Sequence, residues 1–292
     1  MSIVKSLSVG NGDMYYIDHN SDNFSIIDCC LSDENDVRIA GEISVRAGKK
    51  GVVRFISTHP DDDHIRGLDY LDGVINIANF YCIANEAQKE EETDDFRRYR
   101  ELRDSDKAFY LSKACSRRWM NRDDQTRGRA GIDIHWPVTT NDAFMEALAA
   151  AGDTDSPNNI SPIITYAVQE GATFMWMGDL ETEFMEAISD SLDLRKANVL
   201  FAPHHGRESG RVPQELLAVI DPDIVVVGEA PSEHLHYYPE YNTITQNSAG
   251  DITFECAGNK VDIFTSEPDY VVDFLDYEGD GSNPFYLGTL AV

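Results

Sequence analysis

The sequence has few basic residues and no long apolar run. Lys and Arg number 24 against 52 Asp and Glu, and the formal net charge is −28 at pH 7. An acidic surface of this kind repels phosphate backbones, which argues against general nucleic-acid binding. No stretch is apolar enough to cross a membrane, and residues 1–6 lack the apolar segment of a secretory signal. We therefore expect a cytoplasmic protein without membrane contact.

Cysteine is also scarce, with five residues in the chain. Their number is odd, and their positions show no paired spacing of the kind that holds a structural zinc ion. We therefore expect reduced and mostly buried thiols at Cys29, Cys30, Cys82, Cys115 and Cys256. The length of 292 residues and a hydrophobic content of 42% are sufficient for a sizeable core. We expect a single domain over residues 1–292.

One short segment concentrates metal-binding side chains. The apolar run 52–56 predicts a buried strand and 67–71 predicts the start of a helix, so 57–67 form the loop between them. Imidazole and carboxylate groups on such a loop are suitable ligands for a zinc-like or manganese-like ion. The alternative is a solvated acidic loop with two surface histidines. The side chains concerned are His59, Asp61, Asp62, Asp63 and His64.

Two later segments have the same arrangement of an apolar strand followed by polar groups. Residues 173–177 precede Gly178 and Asp179, and residues 198–202 precede the pair His204 and His205. A Gly-Asp pair alone is common as a turn or a helix cap. Adjacent histidines before a glycine are unusual as core residues, although a structural role stays an alternative. We expect both segments to contribute to a site.

Together these motifs resemble the metallo-β-lactamase superfamily, whose metal loop reads His-x-His-x-Asp-His. His59, Asp63 and His64 match three positions, and Asp61 stands where the family has its second histidine. A carboxylate there can still bind metal but favours harder ions. The resemblance implies that Asp179 bridges two ions. It also implies that one of the paired histidines binds metal and the other faces the substrate; we assign metal to His205, with the order left open.

Other segments resemble the competence-type (ComEC-like) branch of this superfamily. The opening Val-Gly-Asn-Gly-Asp at 9–13 is followed by a strand at 24–27 that ends in Asp28, and this resemblance makes Asp28 the support of a ligand histidine. The branch has Asn-Asn-x-Ser where other members carry a histidine, which implies that Asn158 and Asn159 orient substrate or water. Its last motif aligns with Pro239 and Glu240 and makes His236 a site histidine, with His234 a weaker candidate.

The order of predicted elements fits the α/β (α+β) class and the four-layer αββα sandwich of this superfamily. Strands occur in two groups, and helices are predicted at 35–47 and 141–151. Residues 74–84 are predicted as further strand, and 86–122 as highly charged helix. We therefore expect a helical insertion at about 85–130 and an acidic C-terminal tail at about 266–292.

The insertion carries most of the local positive charge. Between residues 97 and 129 there are eleven basic and five acidic residues. Because guanidinium groups match phosphate oxygens, we predict that this segment covers the metal loop and holds an anionic substrate. The alternative is a pair of solubilising surface helices. The arginines that we expect to bind substrate are Arg97, Arg98, Arg117 and Arg118.

We predict a metal-dependent hydrolase, most simply a phosphodiesterase or nuclease. Two divalent ions, zinc or manganese, would lower the pKa of a shared water toward about 7 and provide hydroxide as the nucleophile. The acidic remainder of the chain favours a nucleotide or a short or single-stranded nucleic acid. The alternatives are a carbon-centred hydrolase acting on a lactam, lactone, thioester or peptide, and a non-catalytic protein whose basic insertion binds a protein partner. The expected ligands are His59, Asp61, Asp63, His64, Asp179 and His205, and the expected catalytic residues are Asp63, His204 and His236.

Overall fold

The computed structural model describes residues 1–153, 156–231, 234–279 and 281–292. In these ranges the chain forms two mixed β-sheets. The larger sheet contains, in spatial order, β16 (Tyr286–Ala291), β15 (Lys260–Thr265), β14 (Ile252–Ala257), β1 (Ser2–Ser6), β2 (Tyr15–Asp18), β3 (Asn23–Ile27), β5 (Val52–Ile56), β6 (Phe80–Cys82) and β7 (Ala108–Tyr110). The smaller sheet contains β13 (Thr243–Thr245), β12 (Ile224–Val227), β11 (Val199–Phe201), β10 (Thr173–Trp176), β9 (Ile163–Ala167) and β8 (Ile132–Trp136). The short strand β4 (Cys29–Cys30) bridges to the metal loop.

Helices connect these strands. The α-helices are α1 (Asp36–Ala47), α2 (Asp62–Ile65), α3 (Leu68–Ile75), α4 (Asp94–Arg103), α5 (Asp142–Gly152), α6 (Thr182–Ile188), α7 (Gln214–Ile220) and α8 (Gln246–Ala249). Single 3₁₀ turns lie at Asn158–Ile160, Ser189–Ser191, His204–Gly206 and Glu208–Gly210. None of the helices in the described ranges is long and apolar enough to cross a lipid bilayer.

The alternation of side chains along β2 shows why the sheets form layers. Tyr15 faces the smaller sheet, where its ring lies 4.9 Å from the ring of Phe201. Tyr16 points the other way and packs against Phe24, in the core between the larger sheet and α1, α3 and α4. On the far side, the ring of Trp136 lies 5.7 Å from that of Phe144 on α5. The predicted four-layer αββα sandwich is confirmed.

The region predicted as strand at 74–84 is strand only in part and begins with the end of a helix. Val74 and Ile75 belong to α3, and the strand is limited to Phe80–Cys82. Asn76 ends the helix in the left-handed conformation with φ 51°, which asparagine tolerates better than most residues. The carboxylate of Asp72 accepts a hydrogen bond from the Ile77 amide and fixes the chain reversal there.

The insertion contains one charged helix rather than a helical pair. Helix α4 follows Thr93, whose side chain accepts a hydrogen bond from the Phe96 amide, and it ends at Arg103. Residues 108–110 then pair in parallel with β6 as the edge strand β7. The prediction of helix over 86–122 is therefore wrong outside 94–103, because tertiary strand pairing overrides the charge pattern.

The C-terminal segment contributes the last strand of the larger sheet. Strand β16 pairs antiparallel with β15 and forms one edge of the larger sheet. Cys29, Cys30, Cys82 and Cys256 are buried, as expected, and Cys115 is partly buried.

Candidate metal centre

The metal loop is held by an aspartate at the end of the neighbouring strand. Asp28 follows β3 and adopts a left-handed conformation with φ 57°. Its carboxylate accepts hydrogen bonds from the amide and the hydroxyl of Thr58, both at 2.7 Å. A one-turn helix, α2, then places His64 beside His59, and their ring centroids lie 4.1 Å apart. The loop thus brings two imidazoles to the end of β5.

Asp179 lies at the centre of four imidazoles. Its Oδ1 is 3.0 Å from His64 Nε2. Its Oδ2 is 3.8 Å from the Nε2 atoms of His59, His204 and His205. The tight turn at Gly178 supports this placement, because the Gly178 carbonyl accepts a hydrogen bond from the His204 amide at 3.0 Å. Segments far apart in the chain therefore meet at one buried carboxylate.

The paired histidines have an unusual backbone conformation. His204 and His205 have φ values of 52° and 56°, in the left-handed region that non-glycine residues rarely occupy. The two side chains consequently differ in environment: His205 is fully buried, whereas the side chain of His204 is 14% exposed. Backbone strain of this kind is concentrated at functional sites.

Two carboxylates orient His64 and His205 by contacting the Nδ1 atom of each ring. Asp28 Oδ2 lies 2.9 Å from His64 Nδ1, and Asp13 Oδ1 lies 3.0 Å from His205 Nδ1. In each ring the Nδ1 atom is therefore occupied and Nε2 faces Asp179. This carboxylate–histidine arrangement fixes the tautomer in which Nε2 is free to bind a metal ion.

Asp13 is a site residue that sequence reasoning did not assign. The glycine-rich turn before it packs on the metal loop, since a Cβ on Gly12 would lie 2.6 Å from the Asp63 carbonyl oxygen. The Asp13 amide also donates to the Asp63 carbonyl at 3.1 Å. The Val-Gly-Asn-Gly-Asp motif was the available signal, but only the folded chain shows that Asp13 reaches His205.

Several buried polar atoms at the centre lack a hydrogen-bond partner among the described residues. They are His59 Nε2, His64 Nε2 and Asp179 Oδ1. The last two are 3.0 Å apart but misaligned for a hydrogen bond, as two ligands of one ion would be. Asp13, His64, Asp179 and His205 can each offer one atom within 4.8 Å of the others. The donor set therefore fits a divalent ion, and because Asp13 contacts Nδ1, we assign it to the orientation of His205.

The remaining predicted ligands lie at the edge of this cluster. Asp63 Oδ2 is 3.2 Å from His205 Nε2, and Asp61 Oδ2 is 3.9 Å from His59 Nε2. Asp62 is exposed and pairs with Lys89 at 2.8 Å. The structure thus brings together the six predicted ligands His59, Asp61, Asp63, His64, Asp179 and His205.

The segment 158–161 contacts the metal centre through Ser161 rather than through its two asparagines. Asn159 and Asn158 donate to the Glu181 carboxylate at 2.8 and 3.5 Å, and neither contacts the imidazoles in the described structure. Ser161 Oγ, in contrast, lies 3.2 Å from His59 Nδ1 and accepts from the Asp179 amide at 3.2 Å. Ser161 therefore positions two predicted ligands, a role that the Asn-Asn-x-Ser motif did not reveal.

The arginines that are predicted to bind substrate each have a partner nearby in the fold. Arg97 pairs with Asp94, Arg98 with Asp72, and Arg118 with Asp124, while the Arg117 guanidinium lies 4.7 Å from the Phe109 ring. Carboxylates therefore balance the charge of the three ion-paired arginines. None of these contacts joins the four arginines to the metal centre.

The predicted last site histidine lies outside the cluster. His236 is exposed, and its ring stacks on Tyr237 with centroids 4.6 Å apart. The Tyr237 hydroxyl in turn reaches Glu208 at 3.5 Å, four residues from His204. His234 stacks more loosely on the same tyrosine. The loop therefore borders the mouth of the site, and the described contacts give His236 no role at the centre.

Burial and neighbouring carboxylates shift the pKa values of the four imidazoles in opposite directions. Burial lowers the pKa of all four. For His64, the Asp179 and Asp28 carboxylates outweigh burial and hold the pKa well above its usual value. For His205, Asp13 and Asp179 do the same and raise the pKa to about 10. Burial prevails for His59 and His204, whose pKa values are lowered.

These shifts predict the pH dependence of the metal-free protein. The pKa values of His64 and His205 lie above the unfolded value of about 6.5, so their stabilising effect is complete below that pH and is lost as pH rises toward 10. We expect the free energy of unfolding to fall by more than about 1 kcal/mol between pH 6.5 and 10. Denaturant titration with chelator present measures this. The fall should shrink in His205→Asn; constant or rising wild-type stability would contradict the prediction.

A second prediction concerns Asp13. Asp13→Asn removes the charge behind His205 while keeping the side-chain shape, and we expect metal affinity to fall about 10- to 100-fold. Metal titration against a competing chromophoric chelator measures the change. Asp33→Asn, which alters an exposed aspartate, is the control and should leave affinity unchanged. Equal affinities for the two variants would exclude an orienting role for Asp13.

Comparison with known proteins agrees with this geometry. The family model of the metallo-beta-lactamase superfamily matches residues 7–154, just over half of the chain. No curated protein matches the chain. Similar solved structures include the metallo-beta-lactamase fold protein YhfI from Bacillus subtilis, at 10% identity over 84% of this chain and 96% of that chain with a TM-score of 0.44. Another is Igni18, a metallo hydrolase from Ignicoccus hospitalis, at 16% identity over 87% and 99% with a TM-score of 0.48. The chain belongs to the metallo-beta-lactamase superfamily, a family of metal-dependent hydrolases.

Proposed function

We propose that this protein is a metal-dependent phosphodiesterase acting on a nucleotide or a short single-stranded nucleic acid. The observation that carries the proposal is a cation beside the metal centre. Arg207 lies two residues after His205, and its guanidinium donates to Asn11 of the glycine-rich turn at 2.5 Å. The positive charge therefore lies where the 9–13 turn and the 204–210 segment meet at the mouth of the site.

The chain supplies a fixed set of donors for the metal. His59, His64 and Asp179 form one group, and Asp63, His205 and Asp179 form another that shares the central carboxylate. Divalent ions bound by these residues would supply Lewis-acid polarisation and would activate a water molecule. Asp28, Asp13 and Ser161 hold the imidazoles in place, so little reorganisation is needed on binding.

His204 is suited to proton transfer rather than to metal binding. Its Nδ1 is fixed by Ser209 Oγ at 3.0 Å, and its Nε2 faces the site at 3.8 Å from Asp179. Burial is the main cause that lowers the pKa of His204, and the nearby positive charge of Arg207 adds to it. The ring is therefore neutral at pH 7. A neutral imidazole next to solvent can accept a proton or hydrogen-bond a substrate oxygen.

Arg207 favours a phosphodiester over a lactam, lactone or thioester as the substrate. A guanidinium beside the reacting group stabilises the dianionic charge that builds up on phosphorus oxygens. Lactams, lactones and thioesters develop a single oxyanion and gain less from an additional cation. The acidic remainder of the chain still disfavours a long duplex, because phosphates beyond the site would meet negative charge.

The proposal predicts a substrate preference and a matched pair of variants. Protein saturated with manganese or zinc should hydrolyse bis(p-nitrophenyl) phosphate faster than p-nitrophenyl acetate or a chromogenic lactam. We expect Arg207→Ala to lower kcat/KM for the diester about 10-fold or more, since hydrogen bonds to charged groups contribute about 1.5–3 kcal/mol. Arg97→Ala, which alters an arginine paired with Asp94, should leave kcat/KM within about twofold of the wild-type value.

The opposite pattern would decide against the proposal. Faster hydrolysis of the ester or lactam, with Arg207→Ala equal to wild type, would favour the carbon-centred hydrolase. A purified protein that takes up neither ion would exclude both enzymatic readings.

A further inference from the structure

Two adjoining cavities extend away from the metal centre. The smaller, of about 200 Å³, is lined by Pro60, Asp61 and Lys89, so it begins at the metal loop. The larger, of about 800 Å³, lies between the 84–88 segment, the end of α4 and the edge strand β7. Ala87 and Gln88 line both cavities. The two spaces therefore form one groove that leads from Asp61 to the edge of the larger sheet.

The groove has the reach of a short oligomer. Asn85 in the larger cavity and Lys89 in the smaller one are four residues apart, which spans at most about 14 Å of chain. Lys89 Nζ lies 3.5 Å from Asp61, whose carboxylate is 3.9 Å from His59. A ligand with one end at the metal centre would pass a cation at Lys89 before entering the larger cavity.

An exposed tyrosine forms one wall of the larger cavity. Tyr110 is 50% exposed although it belongs to a β-strand, and its hydroxyl donates to the Arg103 carbonyl at 3.1 Å. The hydroxyl is thus engaged with the protein while much of the ring stays open to solvent. Leu148 and Ala87 add apolar surface to the same cavity. An anchored, open aromatic ring above an apolar floor is suited to stacking with another planar ring.

The charges in the larger cavity balance. Arg103 pairs with Asp104 at 2.7 Å, Arg100 pairs with Glu92, and Glu86 also lines the cavity. A polyanion would gain little there, because every guanidinium already has a carboxylate partner. The exposed Gln88 adds an amide group that can hydrogen-bond a neutral heteroaromatic edge. The lining therefore selects an uncharged planar group.

We propose that the larger cavity binds the nucleobase of a nucleotide adjoining the scissile phosphodiester, stacked on Tyr110. This inference rests on the proposed function for the identity of the reacting group and adds a substrate class to it. A single-stranded oligonucleotide meets both requirements, with its scissile phosphate at the metal centre and a base in the larger cavity. A mononucleotide diester is too short to occupy the metal centre and the Tyr110 wall together.

Binding of a trinucleotide tests the inference. Phosphorothioate-linked trideoxyadenylate, which hydrolyses slowly, is titrated calorimetrically into manganese-saturated protein. We expect Tyr110→Ala to weaken binding about 5- to 150-fold and Tyr110→Phe to bind within about twofold of wild type, because the ring rather than the hydroxyl makes the contact. Tyr277→Ala is the matched control, since Tyr277 is 58% exposed but lies on the C-terminal segment away from the groove.

A second pair of variants tests the inference independently, in case Tyr110→Ala does not fold. Arg100 and Arg97 both lie on α4, both are ion-paired, and their side chains are 43% and 52% exposed. Only Arg100 is in the lining of the larger cavity. We expect Arg100→Ala to weaken trinucleotide binding about 2- to 10-fold, because it removes part of the cavity wall that the base would contact, and Arg97→Ala to leave binding unchanged.

The outcomes separate this inference from the proposed function. Wild-type affinity in Tyr110→Ala, equal losses in Tyr110→Ala and Tyr110→Phe, or no binding by the wild type would each overturn the inference. Hydrolysis of bis(p-nitrophenyl) phosphate does not involve the larger cavity and reports on the proposed function alone. Tyr110-dependent trinucleotide binding without any diester hydrolysis would retain the base site and reject the phosphodiesterase.

Discussion

Asp179→Asn is expected to remove metal from the protein and to destabilise the metal-free fold. The carboxylate lies within 3.0–3.8 Å of four imidazoles, and its negative charge helps to keep His64 and His205 protonated when metal is absent. Asparagine preserves the shape but leaves buried positive charge without its partner. Breaking a buried ion pair in this way costs about 3–5 kcal/mol.

Two measurements check this prediction. Elemental mass spectrometry should find close to two zinc or manganese ions per wild-type chain and a loss of metal in Asp179→Asn. Denaturant titration with chelator present should show the loss of stability. Asp62→Asn on the metal loop is the control, because that exposed carboxylate pairs with Lys89 and should change stability by less than about 0.5 kcal/mol. Full metal content in Asp179→Asn would rule out a central ligand role.

Replacement of each paired histidine by asparagine is expected to remove a different property of the protein. Asparagine is suitable because it tolerates the left-handed backbone at both positions. His205 is fully buried, with Asp13 at Nδ1 and Asp63 3.2 Å from Nε2. We therefore expect His205→Asn to lose metal. His204 faces the substrate side, so His204→Asn should keep its metal and lower kcat by about 10²- to 10⁴-fold through loss of proton transfer.

Metal content and kcat measured on the same preparations distinguish the two roles. The adjacent positions are matched in backbone conformation, so each variant controls for the strain introduced by the other. If His204→Asn loses metal and His205→Asn retains it, the two assignments must be exchanged. Equal metal loss in both variants would make His204 a ligand as well.

The clustering of the predicted ligands followed from local sequence patterns. Each ligand segment comes directly after an apolar strand, as Asp179 does after β10 and His205 after β11. Parallel neighbours deliver their carboxyl ends to one edge of a sheet, which is why the polar groups at those ends meet. The apolar run 52–56 also predicted strand β5 with its observed bounds.

Local patterns did not reveal partners that lie far away in the chain. The charge run around Arg98 gave no sign that α3 brings Asp72 to that guanidinium. Residues 108–110 lie in a segment whose charge predicted helix, yet β6 offers them a strand to pair with. Long-range partners of this kind leave no local periodicity in the sequence, which is why neither outcome was visible beforehand.

The sequence by itself determined the superfamily, the sandwich of layers and the residue types around the metal, because hydrophobic period and motif spacing are local properties. The tertiary structure decided which carboxylate supports which imidazole. Asp13 lies 192 positions from His205 in the chain and 3.0 Å from it in the fold. It also decided that Arg207 meets Asn11 of the glycine-rich turn and that Tyr110 lines a cavity. Such contacts depend on the packing of segments far apart in sequence, and packing is settled only when the whole core has formed.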